Sequence, residues 1–172
     1  MKPLFRLILL SVLGVSCGVY SFTGASIPIE AKTISVQYIS NKAAIVQPSL
    51  SQVITDGLID TFNSQTNLEI TENEGDLSFS GHITKYQIKP MAIKANETAS
   101  QNRLTITIKI KYNNIFDDKE NFETSFSRYR DYASSDNIVD VEDVLIEEIS
   151  KELIEDVYNL SLIHISEPTR PY

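Results

Sequence analysis

Cys17 is the only cysteine in the 172-residue chain, and its surroundings point to acylation. Lys2 and Arg6 open the sequence, and an apolar stretch from Leu7 to Val15 follows, broken only by Ser11 and Gly14. Small residues, Val15-Ser16, lead into the cysteine. A charged start, a short apolar core and a small-residue cleavage site mark an export signal. The stretch is shorter than the roughly 20 apolar residues a membrane-spanning helix needs. Residues 1–16 therefore read as a signal peptide, and Cys17 as the first residue after cleavage. Its thiol would carry diacylglycerol, and its freed amine a further acyl chain such as palmitate. An exported chain with one cysteine closes no internal disulfide, so acylation gives that thiol a purpose. Several acyl chains anchor stably, at about 0.8 kcal/mol for each buried CH₂. The plainer alternative is an unmodified signal peptide with an incidental cysteine.

The rest of the chain offers little reactive chemistry. No Ser-His-Asp or Cys-His set can be assembled, and no Gly-rich phosphate loop occurs. His82 stands mid-strand without a second metal-ligating residue type beside it, so neither a metal site nor a cofactor is expected. Glu72-Asn73-Glu74 and Glu147-Glu148 read as a solvated turn and a solvated helix face. One basic set stands out. Lys109 and Lys111 share the polar face of one strand, and Arg128 and Arg130 share a face of the next. If the two strands pair through the Asp117–Glu120 turn, the four cations could form a patch for phosphate or carboxylate groups. The alternative is ordinary charged residues on a wet sheet face.

The elements that would position these residues follow from periodicity. Thr33 to Ile39 alternates as a first strand. Leu50, Val53, Ile54, Gly57, Leu58 and Phe62 recur at helical spacing, and Ser49 with Gln52 resembles a capping box at the helix start. Leu68 to Ile70 suggests a short strand, and Asn73-Glu74-Gly75-Asp76 a turn. From Leu77 the apolar residues alternate, but the phase slips at Thr84-Lys85 before Tyr86 and Ile88, as at a β-bulge. Ala95 to Gln101 is a polar loop. Leu104 to Tyr112 alternates cleanly, which predicts an antiparallel strand with one wet face. Phe122, Phe126, Tyr129 and Tyr132 mark its partner, again with a phase slip. Asp136 to Tyr158 is a second helix. Its first turns carry Asp140, Glu142 and Asp143, and its buried stripe is Val141, Val144, Leu145, Ile149, Leu153 and Val157.

This order predicts an α+β fold, with two helices packed on one face of a mainly antiparallel sheet of four to five strands. Residues 17–30 read as a lipidated tether and 31–159 as a single domain. The net charge of -8 argues against nucleic acid as a partner. The final run, residues 160–172, contains LSLIHISEPTR, which resembles the translation of a sequencing adapter and is set aside from the domain.

The stretch Cys17 to Pro28, CGVYSFTGASIP, resembles the start of mature lipopolysaccharide-assembly lipoproteins of the LptE family, in the form found in Bacteroidota. The order of strand, Pro-initiated helix, sheet and acidic C-terminal helix is similar as well. The resemblance implies an outer-membrane lipoprotein that acts as a plug and assembly partner of the LptD β-barrel. There it would help deliver lipopolysaccharide (LPS) to the outer leaflet. It implies no enzyme and no cofactor. Gly18 after the cysteine, with no acidic run following, fits a periplasm-facing domain tethered to the outer membrane. The basic set Lys109, Lys111, Arg128 and Arg130 would then contact LPS. The competing reading is a generic periplasm-facing lipoprotein that binds another envelope protein or a small ligand.

Overall fold

The computed structural model describes residues 27–91 and 100–163. Cys17, the signal segment, most of the tether and most of the Ala95–Gln101 loop lie outside the described residues. The elements run β1 (Thr33–Val36), β2 (Ser40–Asn41), α1 (Leu50–Gln65), β3 (Glu69–Ile70), β4 (Leu77–Met91), β5 (Gln101–Asn114), β6 (Phe122–Ala133) and α2 (Ile138–Ile163). A 3-10 turn at Asp118–Glu120 joins β5 to β6.

The strands form one six-stranded sheet in the order β3-β1-β4-β5-β6, with β2 also paired to β4. The α+β expectation holds, but the sheet is mixed. The long strands β4, β5 and β6 are antiparallel, whereas β1 runs parallel to both β3 and β4. The cause is the crossover through α1. A chain that leaves β1, passes through a helix and returns to the same sheet lays down a parallel neighbour.

The first strand stops at Val36, short of the expected Ile39. The Ile39 amide donates to Thr55 Oγ1 of α1 at 3.0 Å instead of to a neighbouring strand. Tyr38 is exposed while Ile39 is fully buried. The chain rejoins the edge of β4 as β2, opposite His82 and Ile83. The capping box also does not form. Ser49 is helical in backbone and its side chain caps nothing. Gln47 Oε1 instead accepts from the Ser49 amide at 2.8 Å and its hydroxyl at 3.1 Å.

The bulge expected at Thr84 is present. The β4–β5 register shifts between Ile83 and Lys85, and Tyr86 then pairs with Ile106. Leaving Thr84 out of the ladder keeps Tyr86 buried on the helix side. In β6, by contrast, the pairing with β5 is unbroken from Phe122 to Ala133, and the expected phase slip is absent.

Both helices cover one face of the sheet. Ile106, Ile108 and Ile110 of β5 meet Ile54 and Leu58 of α1 and Ile149, Leu153 and Val157 of α2 in one buried core. Each such side chain contributes about 1.5–3 kcal/mol by leaving water. Val144 proves exposed, and Ile146 and Ile154 join the buried stripe of α2 in its place. The Tyr86 hydroxyl donates to Glu142 Oε1, tying the start of α2 to β4. α2 continues past Asn159 to Ile163. None of the described helices is long and apolar enough to cross a membrane.

Candidate functional site: the open face of the sheet

Side chains alternate between the faces of a strand, so an unbroken ladder fixes which residues share a face. Leu104, Ile106, Ile108 and Ile110 point to the helices and are fully buried. Their odd-numbered neighbours, Arg103, Thr105, Thr107, Lys109 and Lys111, therefore point to the open face. In β6, Phe122, Phe126, Arg128, Arg130 and Tyr132 share the helix face, because Arg128 pairs with Ile106 and Arg130 with Leu104.

The four basic residues singled out in the sequence thus do not converge. Lys109 and Lys111 stand on the open face, while Arg128 and Arg130 stand on the opposite one. The strand pairing was expected correctly, but the assumed common face was not. Tyr129 is the reason. Grouping it with the buried aromatics required a slip in β6 that the ladder does not contain. Tyr129 is instead half exposed on the open face, with the Arg103 guanidinium 3.7 Å from its ring centre.

Arg128 and Arg130 are engaged by α2. Arg128 forms a two-pronged pair with Asp156, with contacts of 2.7 and 2.6 Å. Arg130 reaches Glu148 at 2.8 Å and Glu152 at 2.5 Å. The three acceptors lie four residues apart on one flank of the helix, which places them in a row. The hydrogen bond from Arg130 holds the Glu152 carboxyl below the usual carboxylate range. Hydrogen bonds to Glu152 and Glu148 push the Arg130 guanidinium up in turn. This cluster clamps α2 to the edge strand.

The open face is different. Lys85 and Lys89 of β4 lie beside Thr107 and Arg103 of β5, and His82 lies beside Lys109. With Lys109 and Lys111, the open face of the three long strands carries five fixed cations against two carboxylates, Glu123 and Asp131. Asp131 is held by Arg103 through contacts of 2.7 and 2.8 Å, and Glu123 by Lys109 at 2.6 Å. The Lys109 hydrogen bond, together with the charges of Lys109, Lys111 and His82, holds the Glu123 carboxyl below its ordinary range. Lys85, Lys89 and Lys111 form no ion pair among the described residues, and all three are exposed. From Arg103 to Lys111 the row spans about 27 Å at the usual rise of a strand. Small hydroxyl residues, including Ser78, Ser80, Ser125 and Ser127, separate the cations.

Such a surface can pair with several anionic groups at once while leaving room for them between the cations. Lys85, Lys89 and Arg103 were missed in the sequence, yet the signals were there. The bulge at Thr84 turns Lys85 and Lys89 outward as soon as Tyr86 and Ile88 are placed inward. Arg103 continues the alternation of Leu104 by one residue. His82 sits among lysines, and no group of three metal-ligating side chains occurs among the described residues.

The family model for LptE, lipopolysaccharide-assembly, matches residues 31–160. The chain belongs to the LptE lipopolysaccharide-assembly family. No curated protein matches its sequence. A minor lipoprotein from Acinetobacter baumannii has a similar fold, with a TM-score of 0.50 at 12% identity over 74% of this chain and 90% of that one. Rare lipoprotein B from Shewanella oneidensis matches with a TM-score of 0.47 at 10% identity, over 73% of this chain and 90% of that one. In this LptE-family chain the match spans every strand, α1 and nearly all of α2.

Proposed function

We propose that the protein is an outer-membrane lipoprotein subunit of the lipopolysaccharide transport machinery. It would be anchored through Cys17, face the periplasm, and act as plug and assembly partner of an LptD-type barrel that delivers LPS to the outer leaflet. The LptE-family match over residues 31–160 carries this reading. The open sheet face supports it, because LPS presents clustered phosphates and carboxylates to any protein that guides it. Within this reading Lys109 and Lys111 keep the LPS-contacting role, joined by Lys85, Lys89 and Arg103. Arg128 and Arg130 leave that role for the helix clamp. No step in such transport needs a catalytic residue, so no enzymatic activity is proposed.

The test is depletion of the protein in its own cell. Surface LPS should fall and the barrel partner should misassemble. Normal levels of both would overturn the reading and favour a generic envelope lipoprotein.

A further inference from the structure

α1 and α2 run in the same direction. Gly57 of α1 lies against Ile154, the Phe62 ring packs 5.4 Å from that of Tyr158, and the Tyr158 hydroxyl donates to the Gln65 carbonyl at 3.4 Å. Between the helices, on the side away from the sheet, lies a groove of about 620 Å³. Val53, Gly57, Ile154 and Tyr158 line it with apolar surface. Asp60, Glu147 and Glu155 stand at its rim, with Lys151 the one cation among them.

Two observations set this groove apart. First, the three rim carboxylates form no ion pair among the described residues. The acids on the other flank of α2, Glu148, Glu152 and Asp156, are all engaged by Arg128 and Arg130. Second, Ser150 lines the groove, is 1% exposed, and its hydroxyl has no hydrogen-bond partner. Buried polar groups are ordinarily satisfied, so an orphaned hydroxyl in a groove marks a place for an incoming donor or acceptor. The end of α1 adds to the charge, because its last residue, Gln65, lines the groove and its last turn carries no basic residue to offset the negative end of the helix dipole.

We propose that this groove docks a lysine- or arginine-bearing segment of a partner polypeptide. An apolar floor with a carboxylate rim is complementary to an amphipathic cationic segment. The aliphatic stem of a lysine or arginine would lie along Val53 and Ile154, with its charged head at the rim. The lining residues of α2, from Glu147 to Asn159, span about 18 Å, the length of several residues of polypeptide. The proposal is independent of the LPS reading, since it concerns the opposite, acidic side of the domain.

The experiment uses the full chain and two fluorescein-labelled 14-residue probes, one alternating Leu and Lys and one alternating Leu and Glu. Fluorescence anisotropy should show saturable binding of the lysine probe alone. The triple variant Asp60→Lys, Glu147→Lys, Glu155→Lys should weaken that binding by about tenfold or more, the factor that 1.4 kcal/mol represents. Should that variant lose its circular-dichroism signature, Asp60→Asn, Glu147→Gln, Glu155→Gln serves in its place. NMR should place the largest amide shifts on titration at Ser150, Ile154 and Tyr158. Equal binding of both probes, binding unchanged in the variant, or shifts centred elsewhere would each overturn the proposal. So would concentration-dependent self-association through the groove, which would make a second copy the occupant.

Discussion

Lys109 and Lys111 on one strand and Arg128 and Arg130 on the next belong to the same residue class and sit on paired strands, yet they have opposite fates. The arginines face inward at the sheet edge, where three carboxylates of α2 engage them. The lysines face outward, where two carboxylates are shared among five cations. Position along the ladder, rather than charge, makes one pair part of the fold and leaves the other available to a ligand.

The most drastic way to break this contrast is to delete Thr84 and Lys85 together. Tyr86 would then follow Ile83 directly, and the faces of every later residue in β4 would be exchanged. Tyr86 and Ile88 would leave the core, and Gln87 and Lys89 would enter it. At about 1.5–3 kcal/mol for each displaced apolar side chain, plus the cost of burying Gln87 and Lys89, denaturant melts should show a loss of several kcal/mol or no cooperative transition. Deleting Thr84 alone removes only the unpaired residue and should keep the faces. A Tm for the double deletion equal to that of the parent would mean that position along the ladder does not set the faces.

Neutralising the open face is the next largest effect. Replacing Lys85, Lys89, Lys109 and Lys111 by Gln should weaken binding of purified LPS by about tenfold or more at low salt. The thermal midpoint should barely move, because exposed lysines add little to stability. The matched double variant Arg128→Gln, Arg130→Gln should leave LPS affinity unchanged. If that pair weakened binding and the lysine set did not, the two faces would have been assigned the wrong way round.

The smallest effect sharpens the other half of the contrast. Arg130→Met should cost about 1 kcal/mol at neutral pH, in the range of a small surface ion-pair network, read as a shift in urea midpoint. Glu152 is held below its ordinary value of 4.5 by Arg130 in the folded state. A carboxylate with a depressed folded pKa contributes stability above its unfolded pKa and loses it as pH falls through the folded one. The difference between parent and Arg130→Met should therefore shrink as the pH is lowered below about 4.5 and through the lower folded value. A difference that persists undiminished at acid pH would rule out the carboxylate contacts as its source.

Much of this was legible in the chain. Leu104 to Tyr112 alternates so cleanly that its faces needed no partner to assign, and the slip at Thr84 announced the bulge. β6 was not legible in the same way. Its residues Phe122, Phe126, Tyr129 and Tyr132 are apolar or aromatic at mixed spacing, and two registers explain them equally well without a neighbour. The choice is made by β5. An unbroken ladder puts Arg128 and Arg130 inward, which is tolerable only because Glu148, Glu152 and Asp156 arrive from α2, some twenty residues later. Tyr129 is stable outside because Arg103 covers its ring. The cap of α1 was misread for a related reason: Gln47, whose side chain also donates to Glu142 at 3.3 Å, occupies the polar groups that a Ser49–Gln52 box would have used.

By itself, the sequence determined the element types, the bulge and most of the two apolar helix stripes, because each rests on local periodicity along one stretch, and its resemblance to known lipoproteins pointed to the family. Tertiary structure alone decided the parallel pairing of β1, the face of each basic residue in β6 and the unshared carboxylates of the inter-helix groove. These depend on contacts between segments far apart in the chain. A charge can turn inward only where a distant element supplies its counter-ion, and no single stretch of sequence records that element's arrival.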